Sequence, residues 1–370
     1  MAGRQYLHPA RVGSAREEGA AGAGAGIAHG KLRTSCPARD GVAYSAIVHS
    51  DSIASAVSDA APKVYIVVLN FRAKEDTVGC LLSLQGLRYR SFEVIVVDNA
   101  SGDGSLEFVE QEVRGKVSFP VHFIQSPRND GFAAGNNIGL RFALARTDAR
   151  YFWLLNNDTE VAPDSLTALV DAAEADRRSA RKVGQYGAKL LYHDQPDTIQ
   201  AVGGRYNPWL GVTHEIGNME KDRGQYDQPP PDADILIGAS IFVTDHFLAE
   251  TGLLGEDYFL YYEEHDWAVR GRSKGWQLRV VPSCVVYHKH GASIGGGRNR
   301  DNKSALSDFY SIRNKLLFTA RYRPWCLPSV YVGLLGVALR RAQRRQWDRL
   351  PMLLRLMFTF FTKPRFRPAA

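Results

Sequence analysis

The pattern of apolar positions between residues 63 and 175 predicts β-strands that alternate with α-helices. Unbroken β-branched and apolar runs are typical of strands covered on both faces, and apolar positions three or four apart are typical of helices. The predicted strands are 64–69, 92–97, 121–125 and 151–155, and the predicted helices are 76–87, 105–113, 135–145 and 165–175. Strands separated by helices form a parallel sheet with right-handed crossovers. The predicted fold class is therefore α/β.

Short polar side chains follow each of these four strands. Ligands of parallel sheets bind beyond the carboxyl ends of the strands. Asn and Asp there suit ribose hydroxyls, a pyrimidine edge and a hydrated cation. The segments are Asn70-Phe71-Arg72, Asp98-Asn99-Ala100-Ser101, Asn129 to Asn137 and Asn156-Asn157-Asp158-Thr159. One such segment alone is ordinary turn or helix-cap chemistry, but four in succession on one rim favour a binding site.

The rim lacks the glycine motifs that usually bind phosphates. No GxGxxG follows the first strand and no GxxxxGK[ST] occurs in the chain, which argues against dinucleotide and P-loop sites. A diphosphate held without a glycine loop needs its charge neutralised by another group, and a divalent cation on a carboxylate does this. Asp158 is the acidic residue best placed to hold it.

Composition and charge reduce the range of functions that the chain could have. The chain has 370 residues, 45% of them hydrophobic, and a net charge of +7. Residues 321–370 contain ten Arg and one Lys against one Asp, a charge of +10, so the other residues sum to −3. This distribution argues against a nucleic-acid partner, which needs a basic groove on the folded body. No uncharged apolar stretch reaches the roughly 18 residues of a membrane span.

The chain divides into three predicted parts. Residues 1–61, with a Gly/Ala-rich run, are predicted to be a disordered leader. Residues 62–320 are predicted to form one α/β domain, and residues 321–370 a basic helical tail with apolar segments at 327–339 and 350–361. The tail suits the surface of an anionic membrane leaflet. A helical hairpin packed on the α/β domain and an oligomer interface are the alternatives.

Cysteine usage indicates a reducing compartment. Cys36, Cys80, Cys284 and Cys326 lie far apart and form no CxxC pair, which argues against a disulfide scaffold and a zinc knuckle. Reduced thiols in a cytoplasm are the simplest interpretation.

Longer motifs extend the polar rim and continue downstream in unbroken order. They are NDGFAAGNN from Asn129, LLNNDTEV from Leu154, IGASIF from Ile237, DYFLYYEEHDW from Asp257 and VYH from Val286. Over residues 63–319 these motifs resemble glycosyltransferase family 2, in particular its bacterial rhamnosyltransferase-like branch. The resemblance implies the GT-A nucleotide-sugar-binding fold, with a mostly parallel sheet flanked by helices, and a metal-dependent, inverting sugar transfer.

The resemblance also implies roles for individual residues. Asp158 retains the carboxylate of the family's metal motif, Asn156 replaces its first Asp, and His288 stands where the family often has a histidine near Mn²⁺ or Mg²⁺. The alternative for His288 is a strand-end histidine satisfied by a hydrogen bond. The expected donor-binding residues are Asn70, Arg72, Asp98, Asn129, Gly131, Asn136, Asn156 and Asn157.

The catalytic base is expected in the acidic cluster of the fourth motif. An inverting displacement needs a carboxylate that takes the proton of the acceptor hydroxyl. Glu264 matches the family's base position, where Asp is usual, and either the acceptor pocket compensates for the longer side chain or Asp266 shares the role. The alternative is that Glu263, Glu264 and Asp266 simply favour a helix N-terminus. Arg313 and Asn314 match a pattern near the end of the catalytic region, with helix packing as the alternative.

The predicted function is that of a cytoplasmic enzyme, peripheral on the inner leaflet of the plasma membrane or free of it. The expected donor is dTDP-rhamnose or a UDP-hexose, and the expected acceptor is a glycan or lipid-linked hydroxyl in cell-surface polysaccharide synthesis. A non-catalytic nucleotide-sugar-binding protein is the alternative, because Glu264 and Asn156 depart from the family's pattern.

Overall fold

The computed structural model describes residues 61–230, 233–289 and 304–359. The predicted leader, apart from residue 61, and the last residues of the predicted tail lie outside the described residues. The strands are β1 Val64–Asn70, β2 Phe92–Asp98, β3 Val121–Gln125, β4 Tyr151–Asn156, β5 Thr159–Val161, β6 Val183–Tyr192, β7 Gln195–Ala201, β8 Gly204–Asn207, β9 Val212–Glu215, β10 Ser240–Thr244 and β11 Gln277–His288. The helices are α1 Lys74–Leu84, α2 Ser105–Val113, α3 Phe132–Leu144, α4 Ser165–Arg178, α5 Asp245–Thr251, α6 Glu263–Ser273, α7 Ala305–Tyr322, α8 Leu327–Gln343 and α9 Leu350–Thr359.

A central sheet organises the described chain in the order β3-β2-β1-β4-β10-β6-β11-β5, with β7 paired to β6. Neighbours among β1 to β4 are parallel, as are β6 and β11, whereas β10, β5 and β7 run the opposite way. Six of the nine described strands therefore run in one direction, and four of their eight pairings are parallel, so the sheet of this α/β fold is mixed. β8 and β9 form a separate hairpin.

Helices cover both faces of the sheet. One apolar cluster joins the sheet to α1, α2 and α4, through side chains such as Leu81, Val109 and Leu166. A second cluster joins the other face to α3, α5 and α6, through Leu140, Phe247 and Trp267. Because both faces are covered, the inner strands read as unbroken apolar runs, which is why the sequence pattern revealed them.

Four predicted element ends shift in ways that matter for the rim. β1, β2 and β4 each run one residue further than predicted, so Asn70, Asp98 and Asn156 are the last residues of their strands. α3 begins at Phe132 and not at Gly135. Asn136 therefore lies in the second turn of the helix and not in its first.

The predicted boundary between domain and tail at residues 320 and 321 falls inside α7. The Arg321 guanidinium lies 2.8 Å from Asp257 and 3.3 Å from Asp266. Ion pairs therefore join the end of α7 to the segment that contains α6.

Helices α8 and α9 pack on α7 through a third apolar cluster, which is the arrangement of the helical-hairpin alternative. Its buried members are Phe309, Tyr310, Ile312, Leu316, Val330, Leu334, Leu353 and Leu356. None of the helices in the described part of the chain is both long and apolar enough to cross a membrane. Cys80, Cys284 and Cys326 are buried free thiols, and Cys36 lies outside the described residues.

Candidate active site

The carboxyl ends of β1 and β2 bring Asn70 and Asp98 side by side. They are register partners, and the Asn70 Nδ2 donates a 2.6 Å hydrogen bond to Asp98 Oδ1. Asp98 also accepts hydrogen bonds from the Ser101 N–H at 2.9 Å, the Ser101 hydroxyl at 2.6 Å and the Gln125 amide at 2.8 Å. Both side chains are buried. They form the floor of the rim, with their polar atoms engaged inside the protein.

Arg72 stands exposed beside this floor. Its backbone N–H donates to the Ser101 hydroxyl at 2.9 Å, and its Nε donates to the Ser101 carbonyl at 3.2 Å. Its φ of 53° is uncommon for a residue with a side chain. The exposed, positively charged Arg72 side chain therefore lies beside the buried polar groups of the rim.

The segment after β3 joins the same rim. Asn129 Oδ1 accepts a 3.0 Å hydrogen bond from Asn99 Nδ2 and a 2.9 Å bond from the Gly131 N–H. The Asn136 amide instead donates to the carbonyl of Phe132, one turn earlier in α3. The structure thus brings Asn129 and Gly131 to the rim through Asn99, whereas Asn136 is buried in the helix.

Gly131 is where the rim meets the loop that leads into α6. Its φ is +96°, and a Cβ at this position would overlap the backbone of Phe259. The Phe132 N–H donates a 2.6 Å hydrogen bond to the Phe259 carbonyl. A glycine is required here because the second backbone occupies the space of a side chain.

The segment after β4 splits into buried and half-buried positions. The Asn157 amide is buried and donates to the Thr77 hydroxyl at 3.0 Å, and that hydroxyl donates to Asn70 Oδ1 at 2.9 Å. Asn157 is thus tied to the floor of the rim. Asn156 is half-buried, at the end of β4 beside Leu69 in the register.

Asp158 and His288 meet at the end of β11. His288 Nε2 lies 3.2 Å from Asp158 Oδ1, and the Lys289 N–H donates to the Asp158 carbonyl at 2.9 Å. On the other side of the ring, His288 Nδ1 is 2.9 Å from the side-chain oxygen of Gln200. A carbonyl oxygen only accepts, so Nδ1 carries a proton.

This arrangement fits a divalent cation. The Nε2 atom of His288 faces a carboxylate oxygen of Asp158 at 3.2 Å, a distance at which the two atoms share a proton or a cation. A histidine held from behind by a carbonyl oxygen is the usual setting of a metal ligand. In the described part of the chain no three His, Cys, Asp or Glu side chains gather to hold an ion, so the protein offers two ligands.

Glu264 lies in the first turn of α6. Its side chain is 18% exposed, and its Oε1 lies 3.3 Å from His265 Nδ1. The other ring nitrogen of His265 is hydrogen-bonded to the Thr213 hydroxyl on β9. The carboxylate therefore stands at a helix N-terminus, where the helix dipole favours negative charge, and it retains access to solvent.

Asp266 is held differently. Its Oδ2 accepts from Arg270 Nε at 2.6 Å, and its Oδ1 accepts from the hydroxyls of Tyr322 at 2.6 Å and Tyr258 at 3.2 Å. Arg321 approaches the same Oδ1 at 3.3 Å. The side chain is 2% exposed. Asp266 thus joins α6 to α7.

Glu263 is buried beside Glu264, and its Oε2 makes no hydrogen bond. Burial raises the pKa of this carboxyl well above its usual range, and the adjacent charge of Glu264 adds to the shift. Hydrogen bonds from backbone N–H groups oppose the shift without cancelling it. Burial therefore favours the neutral form of Glu263 over the charged form in the folded protein.

Arg313 and Asn314 hold the loop before α6. The Asn314 amide donates to the carbonyls of Tyr258 at 2.6 Å, Leu260 at 2.7 Å and Tyr261 at 2.9 Å. Arg313 donates to the carbonyl of Asp257 at 2.9 Å. Arg313 and Asn314 thus position the loop that leads into α6, where the acidic cluster lies.

Sequence reasoning missed several residues of this site. Gln200 comes from β7, and neither its spacing nor its surroundings in the sequence mark it as a partner of His288. Tyr322 and Arg321 lie in the segment that was assigned to the tail. Ser101, in contrast, belongs to the polar segment that the sequence places after β2, and its N–H and hydroxyl donate to Asp98.

One family model matches residues in the first half of the described chain. Residues 65–218 match the model of the family described as glycosyl transferase family 2. The chain contains a family 2 glycosyltransferase domain. The matched residues include the four polar segments of the rim, with Asp158, whereas His288 and α6 come later in the sequence. The predicted family and enzyme class are confirmed.

Two curated proteins are similar to this transferase. A low-salt glycan biosynthesis hexosyltransferase, Agl10 of Haloferax volcanii, is 22% identical over 68% of this chain and 74% of the relative. A dTDP-rhamnosyl transferase, RfbF of Shigella flexneri, is 22% identical over 69% of this chain and 79% of the relative. Both similarities extend over about two thirds of the chain, as the motifs do.

The fold of the transferase is also found in a solved structure. A crystal structure of GalNAc-T7 with UDP, GalNAc and Mn²⁺ matches 69% of this chain with a TM-score of 0.51 and 14% identity. The match covers 48% of the GalNAc-T7 chain. At this identity the likeness concerns the fold alone. The predicted GT-A architecture is confirmed.

Proposed function

We propose that the transferase moves a sugar from a nucleoside-diphosphate donor to a hydroxyl of a glycan or lipid-linked acceptor in cell-surface polysaccharide synthesis. The donor is dTDP-rhamnose or a UDP-hexose, and the anomeric configuration inverts. The observation that carries this proposal is the pairing of Asp158 with His288 at the rim of a family 2 domain. The names of the two curated relatives, a hexosyltransferase and a dTDP-rhamnosyl transferase, support the two donor classes.

The donor end of the site binds a divalent cation and the negatively charged diphosphate. Asp158 and His288 would hold Mn²⁺ or Mg²⁺, with diphosphate oxygens as further ligands. When bound, the ion neutralises the diphosphate and stabilises it as a leaving group. Gln200 fixes the orientation of the His288 ring. The exposed Arg72 guanidinium adds a second positive charge for the diphosphate, while Asn129 and Gly131 form the opposite side of the rim.

The acceptor end of the site removes a proton. Glu264 takes the proton of the acceptor hydroxyl at its partly exposed carboxylate. Asp266 does not share this role in our proposal, because two arginines and two tyrosines already occupy its carboxylate. Its role is to hold α6 in place.

A screen of nucleotide sugars tests the proposal. The protein is incubated with each donor, with and without Mn²⁺, while release of nucleoside diphosphate and protection against thermal unfolding are followed. Asp158→Asn should abolish the metal-dependent protection. Glu264→Gln should keep the protection and lower turnover about 10²–10⁴-fold.

Asp266→Asn is the matched comparison. It should destabilise the fold by about 1–3 kcal/mol, since it removes the charge that accepts the hydrogen bonds of Arg270 and Tyr322. If instead Asp266→Asn folds normally and loses turnover more than Glu264→Gln, Asp266 is the base.

The second candidate function is nucleotide-sugar binding without catalysis. It is favoured by the replacement of the usual Asp residues with Glu264 and Asn156. Thermal protection by a donor with no release of nucleoside diphosphate, under all metal and acceptor conditions tried, would favour this candidate.

We also propose that the enzyme works in the cytoplasm at the inner leaflet of the plasma membrane. The charge of +10 on residues 321–370 supports an anionic surface as a partner. A lipid-linked acceptor would be found at such a surface.

A further inference from the structure

The outer face of α8 exposes large apolar side chains. Val332, Leu335 and Leu339 are 68%, 55% and 61% exposed, and their spacing places them on one side of the helix. The opposite side is packed, because Val330 and Leu334 belong to the cluster with α7. The helix is therefore held firmly in the fold while it presents an apolar stripe outward.

The tip of the β8–β9 hairpin extends this stripe. Trp209 and Leu210 are 56% and 47% exposed, and both backbone N–H groups donate to the side-chain oxygen of Asn207. The Trp209 carbonyl accepts a 2.7 Å hydrogen bond from the Ser329 hydroxyl. Ser329 lies one turn before Val332 on α8, so the hairpin tip meets the beginning of the stripe.

A second tryptophan lies at the same end. Trp325, just before α8, is 62% exposed, and the Arg323 guanidinium lies 5.8 Å from the centroid of its ring. At the other end of α8, Arg340 and Arg345 are exposed. Residues 323–358 contain seven Arg and one Asp, a net charge of +6. Apolar side chains flanked by arginine, with tryptophan at the border, match the layers of a bilayer interface.

We propose that these side chains form a docking stripe that rests in the headgroup layer of an anionic bilayer. The docking stripe consists of Trp209, Leu210, Trp325, Val332, Leu335 and Leu339. A second copy of the chain is the weaker occupant on charge grounds, because two positive surfaces would face each other. An anionic bilayer offers both an apolar layer and the opposite charge.

The β8–β9 hairpin also links the docking stripe to α6. The Tyr262 hydroxyl donates to the Gly211 carbonyl, and Thr213 is hydrogen-bonded to His265. Docking therefore brings the first turn of α6, which carries Glu264, close to the bilayer. This geometry suits a lipid-linked acceptor, and that part of the inference rests on the proposed function.

Sedimentation with vesicles tests the docking stripe. The full chain should bind phosphatidylcholine vesicles that contain phosphatidylglycerol and bind pure phosphatidylcholine vesicles more weakly. Val332→Ser/Leu335→Ser and Trp209→Ala should each lower the affinity for anionic vesicles about tenfold or more. Arg340→Gln should lower it about fivefold.

The matched control is Met219→Ser, which changes a 59% exposed apolar side chain outside the docking stripe and should bind vesicles like the unchanged protein. Release of nucleoside diphosphate with a soluble acceptor should be unchanged in Val332→Ser/Leu335→Ser, because this face is exposed.

Three outcomes would overturn the docking stripe. They are no binding of the intact chain to either vesicle, equal binding by the variants, and a dimer in solution that Val332→Ser/Leu335→Ser converts to a monomer. Vesicle binding without turnover of any donor would instead support the docking stripe and contradict the proposed function. The two failures are therefore distinguishable.

Discussion

Three acidic side chains at the start of α6 differ in burial and in partners, and so in what they can do. Glu264 is partly exposed and stands near a single histidine. Asp266 is enclosed by two arginines and two tyrosines. Glu263 is buried with one oxygen that makes no hydrogen bond. An exposed carboxylate can exchange a proton with a substrate, whereas an enclosed ion pair stabilises the fold and a buried neutral acid weakens it when it ionises.

Replacing Glu263 with Gln should reduce the loss of stability at high pH. The folded state raises the pKa of Glu263 because burial disfavours its charge. The unfolded chain ionises near its ordinary pKa of about 4.3, so above that pH unfolding releases a proton until the folded pKa is reached. The stability of the unchanged protein therefore falls as pH rises through this window.

Thermal unfolding midpoints between about pH 5 and pH 8 measure this effect. The midpoint of Glu263→Gln, relative to the unchanged protein, should rise steadily with pH. Parallel curves would show that Glu263 is already ionised in the folded state.

At the scale of elements, the loop between residues 255 and 262 decides where the acidic cluster lies. Phe259, Tyr261 and Tyr262 all have positive φ angles, which cost energy in residues with side chains. Asn314 hydrogen bonds, the Phe259 ring stacked on Tyr310 at 4.6 Å and the contact with Gly131 hold this conformation. The surrounding structure thus supports a loop that would otherwise relax.

Gly131→Ala should break the contact between the donor rim and this loop. The new Cβ would overlap the Phe259 backbone, so we expect a loss of about 2–4 kcal/mol from strain and overlap together. Turnover should also fall, by as much as about 10²-fold, because a shift of the loop displaces Glu264. Urea unfolding and nucleoside diphosphate release measure the two effects.

Gly275→Ala is the control for this prediction. Gly275 also has a positive φ, of +80°, but a Cβ there meets no other atom within 4 Å. It should cost about 1–2 kcal/mol of backbone strain and leave turnover unchanged. Equal effects of the two substitutions on turnover would contradict the proposed role of the contact.

At the scale of the whole molecule, α8 and α9 belong to the folded body and also present an apolar outer surface. Val330 and Leu334 pack into the cluster with α7, and α7 in turn holds the loop before α6 through Asn314. The tail therefore supports the catalytic site indirectly. Its outer face is left for a partner.

Two neighbouring leucines separate these roles. Leu334 is 1% exposed and Leu335 is 55% exposed. Leu334→Ala should lower the free energy of unfolding by about 2–5 kcal/mol, because it opens a cavity in the cluster. Leu335→Ala should change it by less than about 0.5 kcal/mol. Urea unfolding of the two variants measures the difference, and equal values would mean that α8 does not pack on the body as described.

Local patterns in the sequence determined the first half of the fold and the chemistry of the rim. Strands β1, β2 and β4 are apolar on both faces, so their composition alone identifies them, and the polar residues at their ends share one edge because parallel strands end together. The order of the motifs was sufficient for the family. These features depend on neighbours in the sequence.

Only the tertiary structure decided which of these side chains are engaged by partners inside the protein and which remain accessible. β10 enters the sheet between β4 and β6, and β7 brings Gln200 to His288 across 88 residues. Asp266 and Glu264 are two positions apart, yet Asp266 is occupied by residues of α7 and Glu264 is not. Periodicity records which face of an element is covered, but it does not record which distant side chain covers it. Which acidic side chain is partly exposed, which is ion-paired and which is buried therefore appears only once the chain has folded.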